Sequence, residues 1–328
     1  MKMIAFTVNP SERPIFERYY RDYGIELTMT AERPKPENAH LTQSADCINV
    51  LSDTAITPEL WDLYHQNGVR LGVTRCVGME HMNADYANTL GIGVRNVTYS
   101  PASVADYAIM MMLMVLRHIK PMMLRSLGQD FSQAGFRGRE LPNMTVGIIG
   151  AGRIGQTVAA HLSGFGCKVL YWNRTPRDTI AAEYRPLDDL LKECDIISLH
   201  LTATDGTCHF MDAEKFAKMK PGSVLINTAR GSLVDSDALI DALEQEQLAG
   251  AGLDVLDEDR YIYYRDHKNT MLKHHQMAIL QSMPNVLMLP HMAYYTDQAV
   301  EDMVRNSMDG ASRYLAGAED PWLIGAKI

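Results

Sequence analysis

The stretch TVGIIGAGRIG, residues 145–155, decides how the rest of the chain is read. Thr145 to Ile149 are apolar or β-branched, as a buried strand requires. Gly150, Gly152 and Gly155 follow as G-x-G-x-x-G, then a helical segment at 154–164 and a second strand-like run at 168–172. A glycine triplet alone is a weak signal. Inside a strand–turn–helix–strand unit it is the pattern of a dinucleotide-binding turn, and a purely structural turn is the lesser alternative. The glycines permit a tight turn and a close backbone approach, so that a pyrophosphate can rest on the free N–H groups of the helix N-terminus.

Outward from this unit the same alternation continues. Strand-like runs stand at 3–8, 47–51, 70–74 and 93–97, and again at 195–200, 223–228, 250–256 and 286–290. Helical segments such as 57–67, 186–194 and 235–247 separate them. Strands alternating with helices imply parallel sheets built from right-handed βαβ units. The expected fold is therefore α/β, with two doubly wound, Rossmann-like domains. With 328 residues, each domain is large enough for its own core.

Composition excludes several classes. A net charge of −9 argues against a nucleic-acid partner, which wants a basic face. The N-terminus lacks a signal-peptide pattern, and the longest apolar run, 107–116, is half a bilayer's thickness. Five scattered cysteines without C-x-x-C spacing read as reduced thiols of a cytoplasmic protein, with neither disulfides nor a metal site. The segment 103–117, SVADYAIMMMLMVLR, is apolar on nearly every face. Such a helix is buried between domains, or it also packs on a second copy in a homodimer, for which its methionines are suited.

The end of the second strand of the glycine unit bears on the cofactor. An acidic residue there accepts the adenosine ribose hydroxyls of NAD. The chain instead reads YWNRTPRD, with Asn173 at that place, followed by Arg174 and Arg177. A neutral amide removes a repelling charge, and guanidinium groups pair with a 2′-phosphate. NADP(H) is favoured on this ground, with NAD(H) the alternative.

Three further segments end at the sheet edge where ligands of such folds bind. INTARGSLVD places Arg230 past one strand, GLDVLDED places Asp254 and an acidic cluster past the next, and LPHMAYYTDQ places His291 past the last. Arginine grips a carboxylate through bidentate bonds. Histidine, titrating near neutrality, can hand a proton to a carbonyl oxygen as hydride arrives. A carboxylate orients the imidazole and favours its protonated form. The set suits reduction of a 2-oxo acid.

These segments, with RCVGMEHMN (75–83), VTYSPASVADYA (97–108), SLHLTAT (198–204) and MPNVLMLPHMAYYTDQAVEDMV, resemble the D-isomer-specific 2-hydroxyacid dehydrogenase family. Within it they resemble the D-lactate dehydrogenase branch, including the vancomycin-resistance dehydrogenases. The resemblance implies an (R)-2-hydroxy acid product, with Arg230 as substrate anchor, His291 as acid/base and Asp254 near the nicotinamide. It also implies Val77 and Gly78 as backbone donors to the substrate carboxylate and Tyr99 in the same pocket. Arg153, Ile154, His200, Thr228 and Ala229 are expected beside the cofactor. The family's catalytic Glu is replaced by Asp259, one methylene shorter. Adjacent Glu258, in an extended segment, points elsewhere. Leu51 stands where lactate-preferring relatives carry Tyr, which leaves room for a larger side chain, with Tyr294 and Tyr295 on the opposite wall.

The expected substrate domain is discontinuous, 1–98 with 296–328, and the dinucleotide domain is 99–295. Cleft closure is expected to exclude water and to bring Val77, Gly78 and Arg230 onto one carboxylate. A rival reading is a dinucleotide-sensing interaction protein resembling the C-terminal-binding corepressors, which share the fold. Such proteins carry long tails, and no disordered extension is expected here, which argues against that reading.

Overall fold

The computed structural model describes residues 1–259, 262–318 and 323–324. The chain forms two compact units, Met1–Ser100 with Tyr295–Ile328, and Pro101–Tyr294. In the first unit, β1 (Lys2–Ala5), β2 (Glu26–Met29), β3 (Cys47–Val50), β4 (Leu71–Thr74) and β5 (Gly93–Arg95) lie in the order β5-β4-β3-β1-β2, all parallel. Every residue of β3, β4 and β5 is buried. Strands covered on both faces need continuous apolar runs, and these have them. One face packs Trp61 and Tyr64 of the helix Pro58–Gln66, which Thr57 caps by accepting from Leu60 N.

The second unit carries β6 (Thr145–Ile149), β7 (Lys168–Trp172), β8 (Glu183–Tyr184), β9 (Ile196–Leu199), β10 (Ser223–Asn227), β11 (Leu248–Leu253) and β12 (Val286–Met288). The order is β12-β11-β10-β9-β6-β7-β8, again parallel throughout. Alternation along the strands feeds two cores. Val146, Ile148, Ile196, Val224 and Ile226 face the helices Ala102–Leu116 and Arg153–Leu162. Ile149, Ile197, Leu199, Leu225 and Leu253 face the helices Leu187–Glu193, Ala213–Lys218, Ser236–Glu244 and His275–Ser282. The sheet is thus wound on both faces.

The chain then returns to the first unit through the helix Asp297–Leu315, capped by Thr296, and β13 (Leu323–Ile324) pairs antiparallel with β5. The methionine-rich helix Ala102–Leu116 buries Ala105, Ala108, Ile109, Met111 and Met112 in its own unit's core, leaving Met110 38% exposed. Larger exposed apolar side chains, Met123, Leu124 and Leu127, lie on the next helix, Ile119–Leu127. Among the described residues no single helix is long and apolar enough to cross a membrane, and no cluster of His, Cys, Asp or Glu could hold a metal ion.

Candidate active site

The glycine turn shows why each glycine is there. Gly150 has φ +106°, and a Cβ on it would lie 2.5 Å from the His200 carbonyl. A Cβ on Gly155 would lie 2.0 Å from the Gly150 carbonyl, so the helix reaches the strand only because position 155 is bare. At Gly152 a Cβ would meet nothing within 4 Å. That open face is where a pyrophosphate needs room. Gly152 caps the helix Arg153–Leu162 without any side-chain bond, which leaves its first-turn amides to an anion.

Asn173 does two things the sequence did not disclose. Its Oδ1 accepts from Ala151 N at 3.1 Å and its Nδ2 donates to Thr175 O at 2.7 Å, tying the turn to the end of β7. Arg174 and Arg177 are exposed. His200 follows β9, its Nε2 2.9 Å from Ser198 Oγ, and lost hydration pushes it down to about 4, so it is neutral. Thr228 is buried with its hydroxyl unpartnered, at the end of β10. A cradle open only at Gly152, a helix N-terminus without a side-chain cap and an orphan hydroxyl on the same sheet edge fit a nicotinamide dinucleotide.

Arg230 is held by its own loop. Asn227 Nδ2 donates to Arg230 O at 2.8 Å, Asn227 Oδ1 accepts from Ala229 N at 3.0 Å, and an Arg230 guanidinium nitrogen donates to Ala229 O at 2.8 Å. Gly231 lets this loop lie on the next strand's end, since a Cβ there would sit 1.9 Å from Leu256 O. The Arg230 loop and the acidic turn are therefore neighbours.

Asp254, fully buried past β11, accepts from Met292 N at 3.0 Å and Ala293 N at 2.9 Å. It thereby fixes the backbone just after His291, whose own φ is +55°. Burial raises Asp254 to about 6 against the bonds from Met292, Ala293 and the Tyr107 side chain, and the charge of Asp259 adds to the rise. Asp259 Oδ2 accepts from Leu256 N at 3.0 Å, closing its own turn. One expectation is corrected: residues 257–259 form a turn, not an extended segment, and Glu258 is exposed at φ +58°. Its side chain is turned out by that left-handed backbone rather than by strand alternation.

Aromatic rings surround His291. The ring of Tyr264 lies 5.6 Å away, Tyr263 6.3 Å and Tyr294 6.4 Å. Of these the sequence had suggested only Tyr294; Tyr107, Tyr263 and Tyr264 were missed. An aromatic run, Tyr-Ile-Tyr-Tyr at 261–264 in a polar loop, was the available signal.

The remaining expected residues belong to the first unit. Leu51 is half-buried just past β3, Tyr99 is half-buried past β5, and Tyr295 is exposed with its Oη 3.0 Å from Ser11 Oγ. Val77, 41% exposed, and Gly78 follow β4, with Val77 O accepting from Asn96 Nδ2 at 2.7 Å. Arg75, fully buried, anchors this loop by donating to Glu12 at 2.8 Å and to Asn49, Phe6 and Thr7.

The chain matches the family described as D-isomer specific 2-hydroxyacid dehydrogenase, NAD binding domain, over residues 109–293. It is 37% identical over 308 residues to a D-specific alpha-keto acid dehydrogenase of Enterococcus faecalis, covering 94% of this chain and 95% of that one. It is 36% identical over 310 residues to an aromatic 2-oxoacid reductase of Clostridium sporogenes, covering 93% of each. Among solved structures, a D-lactate dehydrogenase of Treponema pallidum superposes with a TM-score of 0.90 at 31% identity, covering 99% of both chains. Strand order, glycine turn and sequence agree, and the chain belongs to the D-isomer-specific 2-hydroxyacid dehydrogenases, oxidoreductases that work with a nicotinamide dinucleotide.

Proposed function

We propose that this chain reduces a 2-oxo acid to the (R)-2-hydroxy acid, with His291 as proton donor and Arg230 as anchor for the substrate carboxylate. The observation that carries this reading lies within one unit. The glycine turn after β6, Arg230 after β10, Asp254 after β11 and His291 after β12 all end at the carboxyl edge of a single parallel sheet. Bound there, the nicotinamide ring supplies the hydride. The chain's own residues do the rest. Arg230 grips the carboxylate and polarises the carbonyl. His291 donates its proton to the carbonyl oxygen, and Asp259 favours the imidazolium. In this reading Val77 and Gly78 add backbone donors to the carboxylate, and Leu51, Tyr99, Tyr294 and Tyr295 receive the substrate's side chain.

The aliphatic Leu51 supports a substrate larger than pyruvate. So do the relatives named for alpha-keto acids and aromatic 2-oxoacids. Arg174 and Arg177, both exposed beside the cofactor turn, support NADP(H) over NAD(H). The exposed Met123, Leu124 and Leu127, together with Met110 of the preceding helix, support a homodimer through this part of the second unit. Five free thiols support a cytoplasmic setting. The test is a steady-state panel of pyruvate, 2-oxoisocaproate and phenylpyruvate, each with NADH and NADPH. Oxidation of a cofactor by the larger acids, faster with NADPH, is expected. No oxidation of either cofactor with any acid overturns the assignment.

A further inference from the structure

We infer that Tyr264 is a positioning residue for the acid/base histidine, holding the His291 main chain with its hydroxyl and the imidazole with its ring. This rests on the role of His291 proposed above. His291 and Tyr264 have φ of +55° and +62°. A left-handed backbone is uncommon for histidine and strained for a bulky aromatic, and it persists only where surrounding bonds over-determine it. These two residues meet. Tyr264 Oη donates to His291 O at 3.0 Å, and its ring lies 5.6 Å from the imidazole at 36°.

Two opposed sets of bonds therefore span the left-handed residue. Tyr264 takes the carbonyl of His291, while Asp254 takes the next two amides, Met292 N and Ala293 N. Rotating this backbone to swing the imidazole aside breaks all three bonds. Tyr294 packs 6.4 Å from both rings, and Tyr263 presents an edge-on contact at 6.3 Å. Tyr264 is itself 40% exposed, so core burial gives little reason for its presence.

The ring has an electrostatic consequence as well. An aromatic face within about 6 Å of a cation favours the charged form. Tyr264 thus favours the imidazolium, the form that donates in reduction. Among the described residues, the charged and titratable groups gathered around this site include Asp254 and Asp259 from the turn after β11, Tyr107 from the helix Ala102–Leu116, and Tyr263, Tyr264 and Tyr294.

The test compares Tyr264→Phe, Tyr264→Leu and His291→Gln in phenylpyruvate reduction across pH, with NADPH and NADH binding followed by fluorescence and folding by thermal melting. Removing one hydrogen bond predicts a kcat about threefold to tenfold lower in Tyr264→Phe, at unchanged coenzyme affinity and melting temperature. Tyr264→Leu loses the ring too, so kcat falls further and the alkaline limb of its pH profile moves to lower pH. Wild-type kcat and pH profile in both tyrosine variants, with His291→Gln inactive, overturn the positioning role and leave the acid/base role standing. A loss confined to KM, or one that tracks melting temperature, also overturns it. Full activity in His291→Gln overturns the acid/base role itself.

Discussion

The turn at Gly150–Gly155 and the turn at His291 end β6 and β12 at the same edge of one sheet, with β9, β10 and β11 between them, and they are shaped in opposite ways. The first is shaped by missing atoms: strand and helix touch because position 155 has no Cβ, bare Gly150 clears the His200 carbonyl past β9, and Gly152 faces open space. The second is shaped by added side chains, with Asp254 and Tyr264 holding an L-residue in the left-handed region. A turn of the first kind tolerates almost no substitution but carries no proton. One of the second kind is adjustable, residue by residue, and titrates.

The broadest effect expected, on folding and on dinucleotide binding together, is at the bare positions. Gly155→Ala drives a Cβ to 2.0 Å from the Gly150 carbonyl, a backbone atom that cannot turn away. Overpacking of this sort costs about 1–3 kcal/mol. The variant should melt earlier and lose measurable dinucleotide binding. Gly152→Ala is the matched control, since its Cβ meets nothing within 4 Å. It should melt as wild type does yet bind the dinucleotide weakly, because the methyl occupies the pyrophosphate's approach. If the two variants behave alike in both assays, the division of labour between these glycines is wrong.

At the second turn, His291→Gln should lower kcat by roughly 10²–10⁴, as loss of a general acid does, with NADPH and NADH binding within a factor of about two of wild type. Coenzyme titration beside steady-state kinetics checks both halves. Joint loss of binding and turnover would assign His291 to the cofactor instead.

Asp254 gives an effect on stability alone, and it depends on pH. Its folded pKa is raised from 3.8 to about 6, so the unfolded chain releases this proton first as pH rises. The group's stabilising contribution is complete below about pH 4 and lost by about pH 6, a change of about 3 kcal/mol. Asp254→Asn cannot ionise, and one of the two amides now faces an NH₂ group, a loss of about 1 kcal/mol. Wild type should therefore be the more stable protein at pH 4, with its advantage shrinking or reversing by pH 7. Urea unfolding at four pH values measures this. A constant difference between the two proteins contradicts the buried carboxyl.

The same contrast explains what could be read beforehand. The glycine turn was legible because its geometry is written in residue identity: only glycine fits at 150 and 155, and the flanking strands β6 and β7 are apolar past their first residues, Thr145 and Lys168. Strands buried on both faces, such as β3, β4 and β10, announced themselves for the same reason. The edge strand Glu26–Met29, alternating exposed and half-buried, did not, nor did the two-residue Glu183–Tyr184 at the other sheet's edge. At the site, Arg230, Asp254 and His291 could be placed by strand ends. Tyr263 could not, because its nearness to the acids depends on a turn with left-handed Glu258 and Tyr264, conformations that no L-residue's propensity forecasts; nor could Tyr107, whose bond to Asp254 depends on the packing of the helix Ala102–Leu116 against β11.

The smallest effect expected lies at Asn173, which braces the glycine turn against the end of β7. Its Oδ1 stabilises the glycine turn through Ala151 N, and its Nδ2 fastens Thr175 O. Asn173→Asp keeps the acceptor and gives up the donor, so the turn should survive with a modest loss of stability. The new carboxylate can accept the ribose hydroxyls of NAD and repels a 2′-phosphate. The ratio of kcat/KM for NADH to that for NADPH should rise about tenfold, equivalent to about 1.4 kcal/mol. Arg174→Ala should move the ratio the same way by weakening NADPH alone. An unchanged ratio in both variants would mean that this strand end, although it braces the turn, does not read the cofactor's 2′ position.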